Sequence, residues 1–433
     1  MKTPVPDYLL EIRNACSDGG EGRLADYIPE LAAVDPDRFA VAACTMDGVV
    51  YTAGDADAEF TIQSMSKPFV YALALRDRGI EAVLEKVEVE PSGDAFNQIS
   101  LNRDTGRPRN PMINIGAITT HTLVGPPGAS ENERSAVIAD GLSAFAGRRL
   151  EVDGAVCESE LRTAFRNRAM ANLVRAGGII EDDPDEAVRG YTRQCAYRVT
   201  VRDLAVMAVT LATGGVNPVT RERVVSAPVA RQVLAVMTTC GMYDAAGDWM
   251  STVGIPAKSG VSGGILGALP GQVGLGVFSP RLDEHGHSVE GVRTFERLSR
   301  DLELHLMNTT VTEVEAVRSV RFDEISGRRT FRLQGPMTFA SAEQVLRRLA
   351  EIPEGPEEVT LDLSRVSSVN NSARRMLLEA MRRLSAEGHT VGLADPGRRL
   401  PEPDLGDGTR PVTRRAARGR CPRWSPGSEP ADR

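Results

Sequence analysis

The sequence predicts an α/β protein: an α/β sandwich with a helical subdomain, followed by a second, small α/β unit. Three observations predict it. Strand-like, Gly-rich segments lie at both ends of the first 310 residues, a long helical stretch separates them, and residues 315–397 follow the order ββαβαβ. We therefore expect domains at 1–310 and 315–397, with a disordered Arg- and Pro-rich tail at 398–433.

The elements of the first region follow from local patterns. Residues 39–44 and 49–52 predict a hairpin around an Asp47-Gly48 turn, and residues 64–78 predict a helix. The middle is predicted to be helical, as at 159–175 and 201–213, where Gly214-Gly215 is a typical C-cap. Paired strands at 265–269 and 272–278 and a helix at 291–307 complete the region.

The second region is shorter but regular. Strands are predicted at 317–321, 330–333, 359–363 and 390–393, and helices at 342–350 and 371–387. The polar segment 308–313 before it has no helical periodicity and is predicted to be a linker.

Composition excludes several classes of protein. The formal net charge of -8 gives no indication of nucleic-acid or membrane-surface binding. There is no apolar run near the ~18 residues that a membrane span needs, and the N-terminus has no signal-peptide core. The 6 cysteines are widely spaced without a C-x-x-C pair, so we expect core thiols and a cytoplasmic location.

The most informative motif is Ser64-Met65-Ser66-Lys67, at the start of a predicted helix. Side chains at i and i+3 share one helix face, so a hydroxyl and an amine would be neighbours. Burial can lower the pKa of the amine enough for it to activate the serine. The four residues alone also fit a helix-capping serine followed by a solvated lysine.

A second motif favours the catalytic interpretation. Lys258-Ser259-Gly260 resembles the K-T/S-G strand element that accompanies S-x-x-K in serine enzymes of the penicillin-binding type. No role is assigned to Lys258. Only 5 histidines are present and none lies in a catalytic motif, which disfavours a Ser-His-Asp triad. His285 and His287 are predicted to lie at a loop tip rather than in a metal site.

Residues 5–308 resemble the serine-dependent glutaminases, which share the β-lactamase/penicillin-binding fold. The resemblance rests on the Ser64 block and on several long segments, at 25–31, 91–97, 110–118, 159–168, 203–207, 240–244 and 257–261. It implies hydrolysis of L-glutamine to L-glutamate and ammonia, without a metal or organic cofactor, by a homo-oligomer (dimer or tetramer).

The resemblance also implies roles for single residues. Ser64 would be the nucleophile, Lys67 its activator and Tyr243 the proton carrier to the leaving ammonia. The backbone N–H groups of Ser64 and Val261 would form the oxyanion hole. Glu160 would hold the substrate ammonium. The remaining substrate-binding positions implied are Tyr27, Gln63, Asn114, Asn167 and Tyr191.

The second unit resembles the STAS domain through residues 359–366 and 369–373. Asn371 occupies the position that is usually phosphorylated in this family, and it cannot accept phosphate. The resemblance implies a regulatory or docking domain that binds a protein partner or a small ligand.

Two other functions remain open at this point. One is a different serine hydrolase of the same fold, such as a β-lactamase or an esterase. The other is a STAS-mediated anti-sigma antagonist whose first domain is inert. The ammonium acceptor Glu160 favours a free amino acid as substrate, and the intact Ser64, Lys67 and Tyr243 disfavour an inert domain.

Overall fold

The computed structural model describes residues 5–17, 20–93, 98–308, 315–406 and 408–414. The chain divides into two compact units, Met1–Thr309 and Thr310–Arg433. Part of the 91–97 segment, most of the predicted linker 308–313 and residues 415–433 of the predicted tail lie outside the described residues.

The first unit combines helices with one large sheet and a two-stranded ribbon. Its strands are β1 (Ala40–Thr45), β2 (Val50–Gly54), β3 (Phe60–Thr61), β4 (Arg198–Val199), β5 (Ala257–Gly260), β6 (Gly264–Leu269) and β7 (Val273–Phe278). Its helices are α1 (Val5–Cys16), α2 (Pro29–Ala32), α3 (Lys67–Arg78), α4 (Ile80–Leu84), α5 (Asn114–Thr122), α6 (Glu131–Ala146), α7 (Gly154–Thr163), α8 (Phe165–Ala176), α9 (Pro184–Cys195), α10 (Val201–Ala212), α11 (Ala227–Cys240), α12 (Ala246–Thr252) and α13 (Val289–Leu302).

The large sheet is antiparallel, with the strand order β2-β1-β7-β6-β5. Successive side chains of a strand point to opposite faces, so β1 contributes to two cores. Ala42 packs with α3 and α10 on one face, whereas Val41 packs with α1 and α13 on the other. A separate apolar cluster joins α5, α8 and α9 into the helical subdomain. The predicted sandwich with its helical subdomain is confirmed.

Two predicted helices differ in detail from the structure. The helix expected over 159–175 is broken at Ala164, which leaves helical geometry (ψ 27°) and separates α7 from α8. The helix expected from Ser64 begins as a 3-10 turn, Gln63–Ser66, and becomes α-helical only at Lys67. Apolar periodicity alone shows neither change, because it cannot distinguish a tight turn from a regular one.

The second unit has the predicted ββαβαβ order. Its elements are β8 (Val317–Asp323), β9 (Arg328–Met337), α14 (Phe339–Leu349), β10 (Glu358–Val369), α15 (Asn371–Ala386), β11 (Thr390–Ala394) and β12 (Val412–Thr413). The sheet order is β12-β11-β10-β9-β8, with only the β8–β9 pair antiparallel. The sequence favours Asn371 as the N-cap of α15, because asparagine caps helices well, but the N-cap is the preceding residue, Asn370. Its Oδ1 accepts a hydrogen bond from the Ala373 amide at 2.8 Å.

The described part of the predicted tail is structured, which corrects the boundary expected at residue 398. Leu400 is buried in the core of the second unit, and β12 adds a short strand beside β11. Arg414 makes two 2.8 Å hydrogen bonds to the carboxylate of Glu358. Composition predicted disorder here because so few aliphatic residues are present, but the segment is held by a buried leucine, strand pairing and an ion pair.

Within the described residues, no helix is both long and apolar enough to cross a membrane.

Candidate active site

Ser64 lies in a strained turn at the base of α3. The preceding residue, Gln63, has a φ of 50°, in the left-handed region that non-glycine residues rarely adopt. Such strain persists only where the surroundings fix the backbone, and it concentrates at functional sites. The β3–β4 ribbon and a 2.8 Å hydrogen bond from the Ile62 amide to the Tyr197 carbonyl hold the approach to the turn. Ser64 is consequently presented from a fixed backbone.

Tyr243 is brought to Ser64 from a distant part of the chain. The two side chains are hydrogen-bonded to each other, and burial raises the pKa of the Tyr243 phenol above its ordinary value. Tyr243 itself has a positive φ of 56°. Ser64 therefore directly follows a residue in the left-handed region, and Tyr243 lies in that region. At neutral pH the phenol keeps its proton and can serve as a hydrogen-bond donor.

Lys67 is almost completely buried at the start of α3. Its Nζ donates to Oδ1 of Asn114 at 2.7 Å, and it lies 5.7 Å from the centroid of the Tyr243 ring. Burial disfavours the charged amine and lowers the pKa of Lys67 to about 7. A substantial fraction of this lysine is therefore the neutral amine at neutral pH, which is the form that can accept a proton.

Asn114 organises three of the predicted side chains. Its Oδ1 accepts from Lys67 and from the hydroxyl of Tyr191 at 3.2 Å, and its Nδ2 donates to Oδ1 of Asn167 at 3.2 Å. The three partners come from α3, α9 and α8, and Asn114 is the first residue of α5. The helical subdomain thus places four predicted residues in one connected group.

Glu160 lies on α7 beside the turn that carries Gln63 and Ser64. Burial raises its pKa to about 7, against the effect of a hydrogen bond from Gln63, and the charge of Glu30 adds to the increase. A carboxylate that is held in this way gains from pairing with a cation, because the cation offsets the cost of desolvation. Glu160 is accordingly suited to accept an ammonium group.

Val261 directly follows β5, and the end of that strand packs against the turn that carries Ser64. A side chain at Gly260 would contact Gln63 Cβ and the Ile62 carbonyl at 3.3 and 3.1 Å, so glycine allows this close approach. An open cavity of about 960 Å³ lies against Val261 and Tyr27. Tyr27 exposes 54% of its surface, so it belongs to the rim of the site rather than to its interior.

Sequence reasoning missed a buried layer behind Tyr243. Lys258 Nζ lies 3.8 Å from the Tyr243 ring centroid and donates to the Ser259 carbonyl at 2.9 Å. Burial lowers the pKa of Lys258, and the nearby charge of Lys67 lowers it further. His287, expected at a loop tip, is buried, stacks on Tyr243 and has Nδ1 2.8 Å from Ser259 Oγ. Lys258 had been identified in the Lys258-Ser259-Gly260 motif without a role, whereas nothing in the sequence indicated that His287 is buried.

The described residues contain no cluster of His, Cys, Asp or Glu that could hold a metal ion.

Comparison with known proteins agrees with both units. A family model described as Glutaminase matches residues 22–307, and one described as STAS domain matches residues 319–402. The chain is 47% identical over 410 residues to a protein named Glutaminase from Corynebacterium efficiens, covering 95% of this chain and 96% of that one. A Glutaminase from Corynebacterium glutamicum is 48% identical over 410 residues, covering 94% and 98%.

Solved structures show the same similarity. The crystal structure of Mglu in its tris and glutamate form matches with a TM-score of 0.87 and 44% identity, covering 93% of this chain and all of that one. A structure described as probable glutaminase ybaS matches with a TM-score of 0.67 and 39% identity, covering 70% of this chain and 99% of that one.

The chain is thus an enzyme of the β-lactamase-like α/β fold that carries an additional STAS domain. It belongs to the glutaminase family. Its reaction is the hydrolysis of L-glutamine to L-glutamate and ammonia.

Proposed function

We propose that glutamine hydrolysis proceeds through a glutamyl ester of Ser64. The observation that carries this proposal is the hydrogen bond between Ser64 and Tyr243, next to a buried Lys67 with a lowered pKa. A serine becomes nucleophilic when a neighbouring base accepts its proton, and Lys67 in its neutral form is such a base.

In the first half-reaction, Ser64 Oγ attacks the side-chain amide carbon of glutamine and its proton passes to Lys67. The negative oxygen that forms is stabilised by the backbone N–H groups of Ser64 and Val261. The C–N bond then breaks, and Tyr243 carries the proton to the departing ammonia. In the second half-reaction, water attacks the ester, and glutamate leaves with Ser64 protonated again.

The remaining predicted residues bind the two ends of the substrate. Glu160 pairs with the α-ammonium, while Asn114, Asn167 and Tyr191 hold the α-carboxylate and amine. Tyr27 and Gln63 line the side-chain end. The connected hydrogen bonds around Asn114 and the raised pKa of Glu160 support this arrangement.

Trapping the ester tests the mechanism directly. Acid quenching during turnover, followed by proteolysis and mass spectrometry, is expected to show one added glutamyl group on the peptide that contains Ser64. Hydroxylamine is expected to intercept the same ester and to yield a γ-glutamyl hydroxamate. A glutamyl group on a different residue would show that Ser64 is not the nucleophile.

Glu160→Gln is expected to raise KM far more than it lowers kcat. The contact with the α-ammonium is distant from the scissile amide, and losing one charge-assisted hydrogen bond costs about 1.5–3 kcal/mol, or roughly 10- to 100-fold in KM. Steady-state ammonia release measures both constants. Glu158→Gln, at an exposed carboxylate on the same helix, is the matched control. An unchanged KM would show that the ammonium binds at another group.

The division into domains is a further part of the proposal: catalysis by residues 1–310 and regulation or docking by the STAS domain at 315–397. A chain that ends at residue 310 is expected to fold and to hydrolyse glutamine, because every proposed catalytic residue lies within Met1–Thr309. Circular dichroism and ammonia release check this. An inactive but folded truncation would show that the second domain contributes to the active site.

We also propose that the enzyme is a homo-oligomer, a dimer or a tetramer, and that it works in the cytoplasm. Phe165, which exposes 74% of its surface on α8, supports an apolar contact between copies. The described cysteines are all unpaired, which suits a reducing compartment. Sedimentation velocity tests the assembly.

Because Asn371 cannot be phosphorylated, the STAS domain is proposed to act through a protein partner or a small ligand.

A further inference from the structure

A line of buried polar side chains runs behind the nucleophile turn, and no step proposed above uses it. It starts at Glu131 on α6, continues through His121 on α5 and Gln194 on α9, and ends at Ser66. Ser66 Oγ in turn donates to the carbonyl oxygen of Gln63 at 2.8 Å. We call the four side chains Glu131, His121, Gln194 and Ser66 the relay.

The relay is enclosed by protein. His121 and Ser66 are completely buried, Gln194 exposes 1% of its surface, and the Glu131 side chain exposes 10%. Buried polar groups are costly unless they are bonded, and each of these has a partner on both sides. Gly190 of α9 is part of the arrangement, since a Cβ there would overlap the Glu131 carboxylate and the His121 ring.

The hydrogen bonds connect the four side chains in sequence. His121 has Nδ1 2.8 Å from Oε1 of Gln194 and Nε2 3.1 Å from Oε2 of Glu131. The imidazole ring therefore bridges the carboxylate of Glu131 and the amide of Gln194. The amide nitrogen of Gln194 then donates to Ser66 Oγ at 3.4 Å, and the Ser66 hydroxyl is directed to Gln63.

A second set of contacts keeps Glu131 charged. Burial raises its pKa, but hydrogen bonds and charges from His121, Ser135 and Arg134 outweigh burial and leave the pKa below its ordinary value. Ser135 donates to the carboxylate at 2.7 Å and Arg134 at 3.2 Å.

The last bond of the relay matters because of peptide geometry. The carbonyl of Gln63 and the N–H of Ser64 belong to one planar peptide unit, so fixing the direction of the carbonyl also fixes the direction of the N–H. That N–H is one of the two donors of the proposed oxyanion hole. The residue that precedes it, Gln63, has the strained φ of 50°, so an outside constraint is needed to keep it there.

We infer that Glu131, His121, Gln194 and Ser66 are positioning residues that orient the Gln63–Ser64 peptide toward the developing oxyanion. The inference rests on the proposed oxyanion hole. Its consequence is specific: loosening the relay weakens binding of the transition state but leaves substrate binding intact. We expect kcat to fall about 10-fold, less than the 10²–10³-fold loss that accompanies removal of an oxyanion donor, and KM to stay within about 2-fold.

The test compares Glu131→Gln, Gln194→Met and Ser66→Ala with the control Asp140→Asn. Asp140 is an exposed carboxylate on the same helix as Glu131 and lies outside the relay. Ammonia release gives kcat and KM, and thermal unfolding confirms that each variant is folded. The relay variants are expected to lose kcat selectively, whereas Asp140→Asn keeps both constants. Ser66→Ala removes only one hydroxyl group, so it still tests the inference if Glu131→Gln or Gln194→Met prevents folding.

Two further readouts distinguish positioning from a purely structural role. Adding Glu131→Gln to Ser66→Ala is expected to cause no further loss of kcat, because the relay is already interrupted. The ¹⁵N chemical shifts of the His121 ring are expected to change in Glu131→Gln, because Nε2 then faces an amide instead of a carboxylate. Additive losses, parallel changes in kcat and KM, or unchanged kcat in folded variants would overturn the inference. A Ser64 variant that stayed active would instead refute the nucleophile proposal.

Discussion

Ser64→Ala is expected to reduce kcat for glutamine to below about one hundredth of its original value, with the fold retained. Ser64 is the proposed nucleophile and is hydrogen-bonded to Tyr243, and the substitution removes one buried oxygen only. Ammonia release under saturating glutamine gives kcat, and thermal unfolding reports on the fold.

Ser251→Ala is the matched control, since Ser251 is an exposed serine on α12 whose hydroxyl only bonds a carbonyl of its own helix. It is expected to keep full activity. If Ser64→Ala retained more than about one hundredth of kcat, covalent catalysis at this residue would be refuted.

Lys67→Ala is expected to be nearly as damaging, because a serine and its base act as a unit. The double substitution Ser64→Ala/Lys67→Ala should therefore be little worse than either single change, as is found when coupled catalytic groups are removed together. Lys86→Ala, at a partly exposed lysine after α4, is the control and should leave kcat unchanged. Strictly additive losses of kcat in the double variant would show that Ser64 and Lys67 do not act as a unit.

The pH profile provides a second measurement of the same role. Burial lowers the pKa of Lys67 to about 7, and the active form is the neutral amine, so activity rises with pH through that value. The neutral fraction is about one tenth at pH 6 and about nine tenths at pH 8. Burial raises the pKa of Glu160 to about 7 as well, and the form that binds ammonium is the carboxylate.

Deprotonation of Lys67 and deprotonation of Glu160 therefore both raise kcat/KM between pH 6 and 8. Both groups contribute because kcat/KM reports the ionisation of the free enzyme. In the complex, the substrate ammonium keeps Glu160 ionised, so kcat follows Lys67. We expect Glu160→Gln to make the kcat/KM profile less steep and to preserve the rise in kcat. A kcat that fell as the pH rose would assign the opposite protonation state to the active lysine.

The architecture of both units could be predicted from the amino-acid sequence, which also indicated Ser64 as the candidate nucleophile. Alternating apolar residues predicted the strands of both units, because side chains on a strand alternate between two faces. The order ββαβαβ predicted the second unit. The spacing of Ser64 and Lys67 predicted neighbouring side chains, since residues three apart meet on a helix or a 3-10 turn. These are local properties, so local patterns suffice to predict them.

Which distant residues come into contact follows from the packing of the whole chain. Three examples are the hydrogen bond between Ser64 and Tyr243, the stacking of His287 on Tyr243, and the relay from Glu131 to Ser66. Each joins segments that are more than 40 residues apart or that lie on separate helices. Local periodicity cannot predict such contacts, and it gave no sign of the left-handed Gln63. The lowered pKa of Lys67 likewise comes from burial, which the packing of the whole unit produces.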